Sequence, residues 1–288
     1  MLIQWFPGHM TKTKRMIEGH LKAVDLVAEL LDARIPASSA NPMIAELTAG
    51  EPRIVILNKS DLADPGETEK WVAYYKAKGI RAIPLDSTNQ KSKKVLIRTI
   101  METAQPVIQK WARRGLKSRS VRLMILGIPN VGKSTLINRL AGTKATRTAN
   151  TPGHTRGKQW VRLQDGLDLL DTPGVLWPKF EDQRAAMRLA ATGAIAGDVF
   201  DPDEIVPILM TTLAKMKPDV LREKYNIEDV TADPQLLIEA AGRRRGCILP
   251  GGAVDFDRAQ QAILHDFRNG KLGRITLDSL EESRENEE

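Results

Sequence analysis

The alternation of apolar and polar stretches along the chain predicts a series of strands, each followed by a helix. Short apolar runs typical of buried strands occupy residues 24–31, 54–57, 80–85 and 121–126. Apolar residues at helical spacing occupy residues 10–21, 67–78, 91–111 and 135–141, with an interruption near Pro106. This order predicts an α/β fold with a mostly parallel sheet and helices on both faces.

The pattern changes in the second half of the chain. Residues 158–163 and 167–170 are predicted to be two strands joined by a turn at Asp165-Gly166. Helical spacing then recurs without strands at residues 181–196, 202–215, 220–225, 234–241 and 257–268. We therefore expect an α/β domain at residues 1–178, a small all-α domain at 179–280, and a disordered acidic tail at 281–288.

The segment Gly127–Ser134 has the spelling G-x-x-x-x-G-K-[ST] between a predicted strand and a predicted helix. That context is the one in which the phosphate-binding loop occurs, because glycines let backbone N–H groups turn inward around phosphates at a helix N-terminus. Lys133 is expected to reach the β- and γ-phosphates, and Ser134 to ligate Mg²⁺. The predicted phosphate contacts are Asn130, Val131, Gly132, Lys133, Ser134 and Thr135.

A base-reading motif, Asn58-Lys59-Ser60-Asp61, follows the strand predicted at residues 54–57. The Asp61 carboxylate can accept from both N1–H and the 2-amino group of guanine, which adenine lacks. Asn58 would brace the loops and Lys59 would lie over the base. Ser87 and Thr88 follow the next strand, where backbone N–H groups are expected to make a third base contact.

Two further motifs fit the switches of a GTPase. Thr155 lies in a Thr-, Pro- and Gly-rich stretch and is placed to ligate Mg²⁺. The last predicted strand of the domain ends in Asp171-Thr172-Pro173-Gly174, a D-x-x-G motif. Asp171 is expected behind the metal ligands, and the Gly174 N–H would meet the γ-phosphate.

These motifs stand in a rotated order, since the base-reading half (residues 1–111) precedes the phosphate-loop and switch half (121–178). A parallel sheet tolerates the rotation if a connector joins the old termini. The basic segment 112–120 is that predicted connector; a solvated linker and a nucleic-acid contact both remain open for it. The helical domain would then be attached directly to a switch.

Overall composition limits the function classes further. The chain has a net charge of +7 and an isoelectric point near 9.5, which permits a polyanionic partner without requiring one. The single cysteine, Cys247, excludes an internal disulfide and fits a reducing compartment. No apolar run approaches the roughly 18 residues that span a bilayer, and the N-terminus lacks the order of a signal peptide. We expect a cytoplasmic protein that binds neither membrane nor DNA.

Basic residues concentrate in two glycine-bearing segments of the predicted helical domain: Arg243, Arg244, Arg245, Arg268, Lys271 and Arg274. They could contact the phosphates of structured RNA, which needs charge more than sequence readout. Solvated loops are the alternative.

The rotated order, with Trp5-Phe6-Pro7-Gly8-His9-Met10 and Gly-Ile-Pro-Asn-Val-Gly-Lys-Ser, resembles the circularly permuted GTPases of the ribosome biogenesis GTPase A family (the YlqF/YawG type). The resemblance covers nearly the whole chain. It implies a GTPase with permuted P-loop topology that acts in late maturation of the large ribosomal subunit, with rRNA and ribosomal proteins as partners.

The resemblance also suggests catalytic groups, because Val175 stands where many GTPases carry a water-orienting Gln. Asn130 matches the position that helps hold K⁺ against the phosphates in similar GTPases. His9 matches the residue that similar proteins are suggested to bring to the γ-phosphate; His154 is a weaker alternative. Lys133 and Thr155 complete the predicted catalytic set, with Mg²⁺ and K⁺ as cofactors.

The sequence thus predicts a Mg²⁺- and K⁺-dependent GTPase that binds large-subunit rRNA in a GTP-dependent way. One alternative is a GTPase that acts on another RNA or in signalling. An ATP-dependent kinase is disfavoured by N-K-x-D.

Overall fold

The structure, a computed structural model, describes residues 10–115, 119–142, 146–147, 160–163, 166–170, 182–195 and 199–285. These residues form two compact units, one of residues 10–170 together with 278–285, and one of residues 182–277. None of the described helices is long and apolar enough to cross a bilayer.

The first unit is an α/β fold, as predicted. Its elements are α1 (Met10–Leu21), β1 (Leu26–Asp32), α2 (Pro36–Ser39), α3 (Pro42–Leu47), β2 (Arg53–Asn58), α4 (Pro65–Ala77), β3 (Arg81–Leu85), α5 (Ser92–Thr103), α6 (Gln105–Arg113), β4 (Val121–Gly127), α7 (Lys133–Ala141), β5 (Thr146–Arg147), β6 (Trp160–Arg162), β7 (Leu167–Leu170) and, late in the chain, α13 (Leu280–Glu285). The predicted break near Pro106 is the junction of α5 and α6.

The described strands form one sheet in the order β3-β2-β1-β4-β7-β6-β5. Strands β3, β2, β1, β4 and β7 are parallel, whereas β6 pairs antiparallel with both β7 and β5. Because β1 pairs with β2 on one side and β4 on the other, the base-reading strand and the phosphate-loop strand flank it. Their carboxyl ends therefore meet at one edge of the sheet.

Two apolar clusters support this sheet. Trp71 and Tyr75 of α4 pack with Leu31 of β1 and Leu57 of β2. Residues of α1 and α3 pack in a separate cluster with Val27, Met124, Leu126 and Leu170. By the strand register, both clusters lie on the same face of the sheet. Every residue of β1 is buried, so its other face is covered as well, and the strand is a nearly continuous apolar run.

Arg119 gives the basic connector a structural role just before β4. Arg119 lies with its guanidinium 4.6 Å from the ring centre of Trp111, and its Nη2 lies 3.0 Å from Asp25 Oδ1. Asp25 also accepts from the backbone N–H of Arg122 at 2.9 Å. At this residue, ring stacking and an ion pair hold the chain as it enters β4.

The second unit consists, in its described residues, of α8 (Gln183–Thr192), α9 (Pro202–Met216), α10 (Pro218–Tyr225), α11 (Pro234–Arg244) and α12 (Phe256–Arg268). Helices α11 and α12 pack closely at Gly242. A Cβ atom there would lie 2.8 Å from Ala259 Cβ and 2.7 Å from Val254 Cγ1, so only glycine fits.

The end of the chain corrects the sequence-based division. Residues 278–280 belong to the first unit rather than the helical one, and residues 280–285 form α13 rather than part of a disordered tail. The Asp278 side chain is completely buried and accepts from the Ser38 backbone N–H at 2.6 Å and from Ser38 Oγ at 2.8 Å. Trp71 Nε1 donates to the Asp278 carbonyl at 3.1 Å, and Leu280 is buried beside Trp71. The acidic composition concealed these contacts.

Candidate functional site

Asn58, the last residue of β2, connects three of the predicted motifs. Its Nδ2 donates to the carbonyl of Val131 in the phosphate loop at 2.7 Å. Its Oδ1 accepts from Ser87 Oγ at 2.5 Å and from the Ser87 backbone N–H at 3.2 Å. Asn58 is only 2% exposed, so these hydrogen bonds are shielded from water. Segments far apart in the chain are thereby fixed around one edge of the sheet.

Gly132 is required where the phosphate loop passes Asn58. Its φ is +104°, and a Cβ atom there would lie 2.3 Å from Asn58 Nδ2. Both the left-handed backbone and the close approach favour glycine. The glycine of the phosphate loop thus serves the contact to the base-reading strand as well as the turn.

Lys59 joins the base-reading loop to the phosphate loop. Its Nζ donates to the carbonyl of Asn130 at 2.8 Å and to Asp32 Oδ2 at 3.0 Å. Lys59 and Asn130 both have a φ of +57°, a left-handed conformation that is uncommon for residues other than glycine. These contacts place the lysine stem at the edge where the base was predicted to lie.

Lys59 contacts a buried ion pair, formed by Asp32 and Arg34, that the sequence did not reveal. Asp32, at the end of β1, accepts from Arg34 Nε at 2.9 Å and from Arg34 Nη2 at 2.7 Å. Burial acts to raise the pKa of Asp32, but the charges and hydrogen bonds of Arg34 and Lys59 outweigh it and lower that pKa to about 2. The carboxylate is therefore ionised at neutral pH and holds Lys59 in place.

Lys133 is buried, and its Nζ donates to the carbonyls of Gly127 at 2.9 Å and Ile128 at 2.7 Å. Ser134 and Thr135, in the first turn of α7, are exposed. A hydroxyl beside a helix N-terminus fits a Mg²⁺ that is held mainly through phosphates. No cluster of three or more His, Cys, Asp or Glu side chains with metal-binding geometry occurs among the described residues.

The loop with Ser87 and Thr88 lies against α7. Arg139 Nε donates to the Ser87 carbonyl at 3.2 Å, and Arg139 Nη2 donates to the Thr88 carbonyl. The Thr88 backbone N–H donates to Asp86 Oδ1 at 2.8 Å. The sequence did not single out Arg139, because an arginine at helical spacing is usually a solvated residue.

Several predicted site residues fall outside the described residues: His9, His154, Thr155, Asp171 and Gly174. Asp61 is described and exposed, two residues beyond Lys59. The structure thus brings Asn58, Lys59, Ser87 and the phosphate loop together, while the switches stay predictions.

The chain is similar to known GTPases over nearly its whole length. Residues 122–230 match the family model described as 50S ribosome-binding GTPase. The chain is 44% identical to the ribosome biogenesis GTPase A of Priestia megaterium over 98% of this chain and 99% of that one. It is 42% identical to that of Bacillus cereus over 98% and 95%.

The chain belongs to the ribosome biogenesis GTPase A family. A solved GNP-bound YlqF from T. maritima matches it with a TM-score of 0.66 and 28% identity, over 93% of this chain and 98% of that one. The predicted permuted GTPase fold is thereby confirmed, and the chain is a GTP-hydrolysing enzyme.

In this member of the ribosome biogenesis GTPase A family, internal contacts engage much of the predicted cationic surface of the helical unit. Arg268 donates to the carbonyls of Ala190 and Ala191 at 2.8 and 3.0 Å, where α8 ends. Arg245 and Lys271 both pair with the buried Asp266. Arg243 pairs with Glu239, whereas Arg244 is exposed and makes no side-chain hydrogen bond or ion pair with another described residue.

Proposed function

We propose that this chain binds GTP across the sheet edge formed by β2, β1 and β4, with the phosphates on residues 130–135 and the guanine at Asp61. The observation that carries this proposal is the Asn58 side chain, which bonds Val131 and Ser87 at once. Separate cavities for the base and phosphate motifs are hard to reconcile with one buried side chain touching both. Lys59, held by Asp32 and Asn130, would cover one face of the base.

The phosphate end of the proposed pocket depends on Lys133 and Ser134. Lys133 would exchange the carbonyls of Gly127 and Ile128 for phosphate oxygens, which are stronger acceptors. Mg²⁺, held through Ser134 and Thr155 with Asp171 behind them, would neutralise charge on the transferring phosphoryl group. Ser134 is exposed at the first turn of α7, where such an ion can approach.

We further propose that Asn130 helps to hold K⁺ and that His9 acts on the γ-phosphate, since Val175 cannot polarise water. The bond from Lys59 to the Asn130 carbonyl supports the first part, because it fixes the Asn130 backbone. The matching experiment compares steady-state GTP hydrolysis in KCl and in NaCl. Equal rates would reject the K⁺ proposal.

We propose that the helical unit binds large-subunit rRNA and that the GTP state sets its affinity. Arg244 supports this proposal because its exposed charge makes no ion pair within the described residues. The side chains of Arg245 and Lys271 are 38% and 50% exposed, so part of their positive charge would also be available to the RNA. Phosphate contacts need cations at defined positions, and Asp266 holds these two side chains in place through ion pairs.

Co-sedimentation with large ribosomal subunits, with GTP or GDP and over a salt series, tests this role. We expect binding that depends on GTP and weakens with salt, and Arg244→Ala should reduce both the affinity and the salt dependence. Arg222→Ala is the matched control, since Arg222 is also exposed but pairs with Asp219 on its own helix. Salt-dependent binding to unrelated RNA alone would instead favour a GTPase that acts on another RNA.

A further inference from the structure

Arg139 is a charged residue that the proposed nucleotide pocket does not yet use. It lies six residues beyond Lys133 in α7, which is roughly 9 Å along the helix axis. From there its guanidinium donates to two successive carbonyls of the loop that follows β3, Nε to Ser87 at 3.2 Å and Nη2 to Thr88. One side chain therefore connects the phosphate-binding helix to the predicted base-contact loop.

The two carbonyls matter because each belongs to a peptide group that also carries an N–H. The Ser87 carbonyl shares a planar group with the Thr88 N–H, and the Thr88 carbonyl shares one with the Asn89 N–H. In a trans peptide the C=O and the N–H point in opposite directions. Holding both oxygens with one rigid fork therefore fixes the direction of both N–H groups, and it also strengthens them as donors.

The rest of the loop is held from its other side. Asn58 accepts from the Ser87 N–H, and Asp86 accepts from Thr88 N at 2.8 Å and through its carbonyl from Asn89 N at 3.1 Å. The Thr88 and Asn89 N–H groups thus already face acceptors. A base oxygen brought to this loop would share or replace the acceptors that Asp86 supplies.

We propose that Arg139 is a specificity-determining positioning residue, which orients the Thr88 and Asn89 N–H groups towards the 6-oxo group of guanine. This inference rests on the proposed function, which places the guanine at Asp61, together with the third base contact predicted at the loop of Ser87 and Thr88. Guanine presents an acceptor at position 6 and adenine presents a donor, so fixed N–H groups favour the first and oppose the second. Arg139 thereby supplements the discrimination by Asp61, which acts on the adjacent N1–H and 2-amino groups of the same base edge.

The experiment measures nucleotide affinity of the full chain with Mg²⁺, by competition against a fluorescent GDP derivative. The two probes are GTP and the triphosphate of 2-aminopurine riboside. The second lacks the 6-oxo group and also the N1–H that would donate to Asp61, a loss that is the same in wild type and in the Arg139 variants. Arg139→Gln should weaken GTP binding about tenfold, because the loop loses a two-pronged charged donor. The same change should alter the affinity for the 2-aminopurine nucleotide less than about twofold. Arg139→Lys, which can donate to one carbonyl with a single group, should lie between wild type and Arg139→Gln for GTP.

The matched control is Lys93→Gln. Lys93 Nζ donates to the Leu140 carbonyl at 2.8 Å, so it ties the same end of α7 without touching the base-contact loop. It should leave the ratio of the two affinities unchanged. Equal losses for both nucleotides in Arg139→Lys and Arg139→Gln, or no loss for either nucleotide, would overturn the proposal.

A second variant separates this inference from the proposed function. Asp61→Asn should move preference from GTP towards xanthosine triphosphate if the guanine lies where we place it, because Asn can donate to a 2-oxo group. Failure of that switch would reject the pocket itself. A successful switch with equal losses in the Arg139 variants would reject only the role of Arg139.

Discussion

The two units each bury one carboxylate among cations, but they use it differently. Asp32 and Asp266 are 2% and 3% exposed. Asp32 has both oxygens engaged by hydrogen bonds from Arg34 and Lys59. Asp266 accepts from the Tyr225 hydroxyl at 3.2 Å on Oδ2, whereas its Oδ1 has no hydrogen-bond partner within the described residues.

Their cations differ as well. The side chain of Arg34 is 2% exposed and Lys59 extends to the phosphate loop, so the Asp32 pair adjoins the proposed nucleotide site. The cations around Asp266 come from the surface, and Arg245 lies 3.1 Å and Lys271 3.4 Å from its oxygens. The comparison teaches that one buried carboxylate links loops of the proposed nucleotide site, while the other holds partly exposed cations.

Replacing Asp32 with Asn should have the largest effect. The change keeps the shape but removes the buried carboxylate with which both Arg34 and Lys59 pair, which costs about 3–5 kcal/mol in the free energy of unfolding. Lys59 also loses its anchor, so GTP affinity should fall by at least about tenfold. Chemical denaturation and calorimetric titration measure the two effects. Wild-type values in both would remove the distinction drawn between the carboxylates.

The pH dependence of stability should be the next largest effect. The pKa of Asp32 is lowered from 3.8 to about 2, so its ionic contribution is fully present above the ordinary pKa and is lost as pH falls towards 2. The loss amounts to about 2 kcal/mol. The difference in unfolding free energy between wild type and Asp32→Asn should therefore narrow by about 2 kcal/mol between about pH 4 and pH 2. A constant difference across this range would contradict the assignment.

Replacing Asp266 with Asn should have the smallest effect. Its cations are partly exposed and Asn can still accept from Tyr225, so the unfolding free energy should fall by only about 1 kcal/mol. Basal GTP hydrolysis should not change. Subunit binding should become weaker if Asp266 fixes Arg245 and Lys271 for RNA. A stability loss as large as that of Asp32→Asn would show that both carboxylates serve mainly to hold their units together.

The sequence predicted most of the α/β fold because buried parallel strands form apolar runs and their motifs have fixed spelling. It also identified Asn58, Lys59, Ser87 and the phosphate loop, which the structure brings together. It missed α2 because a helix of four residues is too short to show a period. It missed Asp32 and Arg139 because their importance comes from partners distant in the chain, such as Lys59 and Ser87.

The sequence also did not show which basic side chains are exposed and which make internal hydrogen bonds. Arg268 and Arg244 are both arginines of the basic segments, and the sequence gives no reason to separate them. In the structure, Arg268 donates to the carbonyls at the end of α8, whereas Arg244 is exposed. Charge can be counted from composition, but its availability depends on which carbonyls and carboxylates lie nearby. The acidic tail predicted at residues 281–288 was misleading for a similar reason, since residues 281–285 belong to α13, whose first residue, Leu280, is buried.

The buried carboxylate of Asp278 also changes how the protein can be divided. Residues 182–277 are inserted in the chain between two parts of the larger unit, so the polypeptide leaves that unit and returns to it. A chain shortened at Leu277 would lose the carboxylate that accepts from Ser38 and the Leu280 side chain that packs in the cluster of Trp71. Removing the last eleven residues should therefore harm the nucleotide-binding half more than the helices to which those residues are adjacent in sequence.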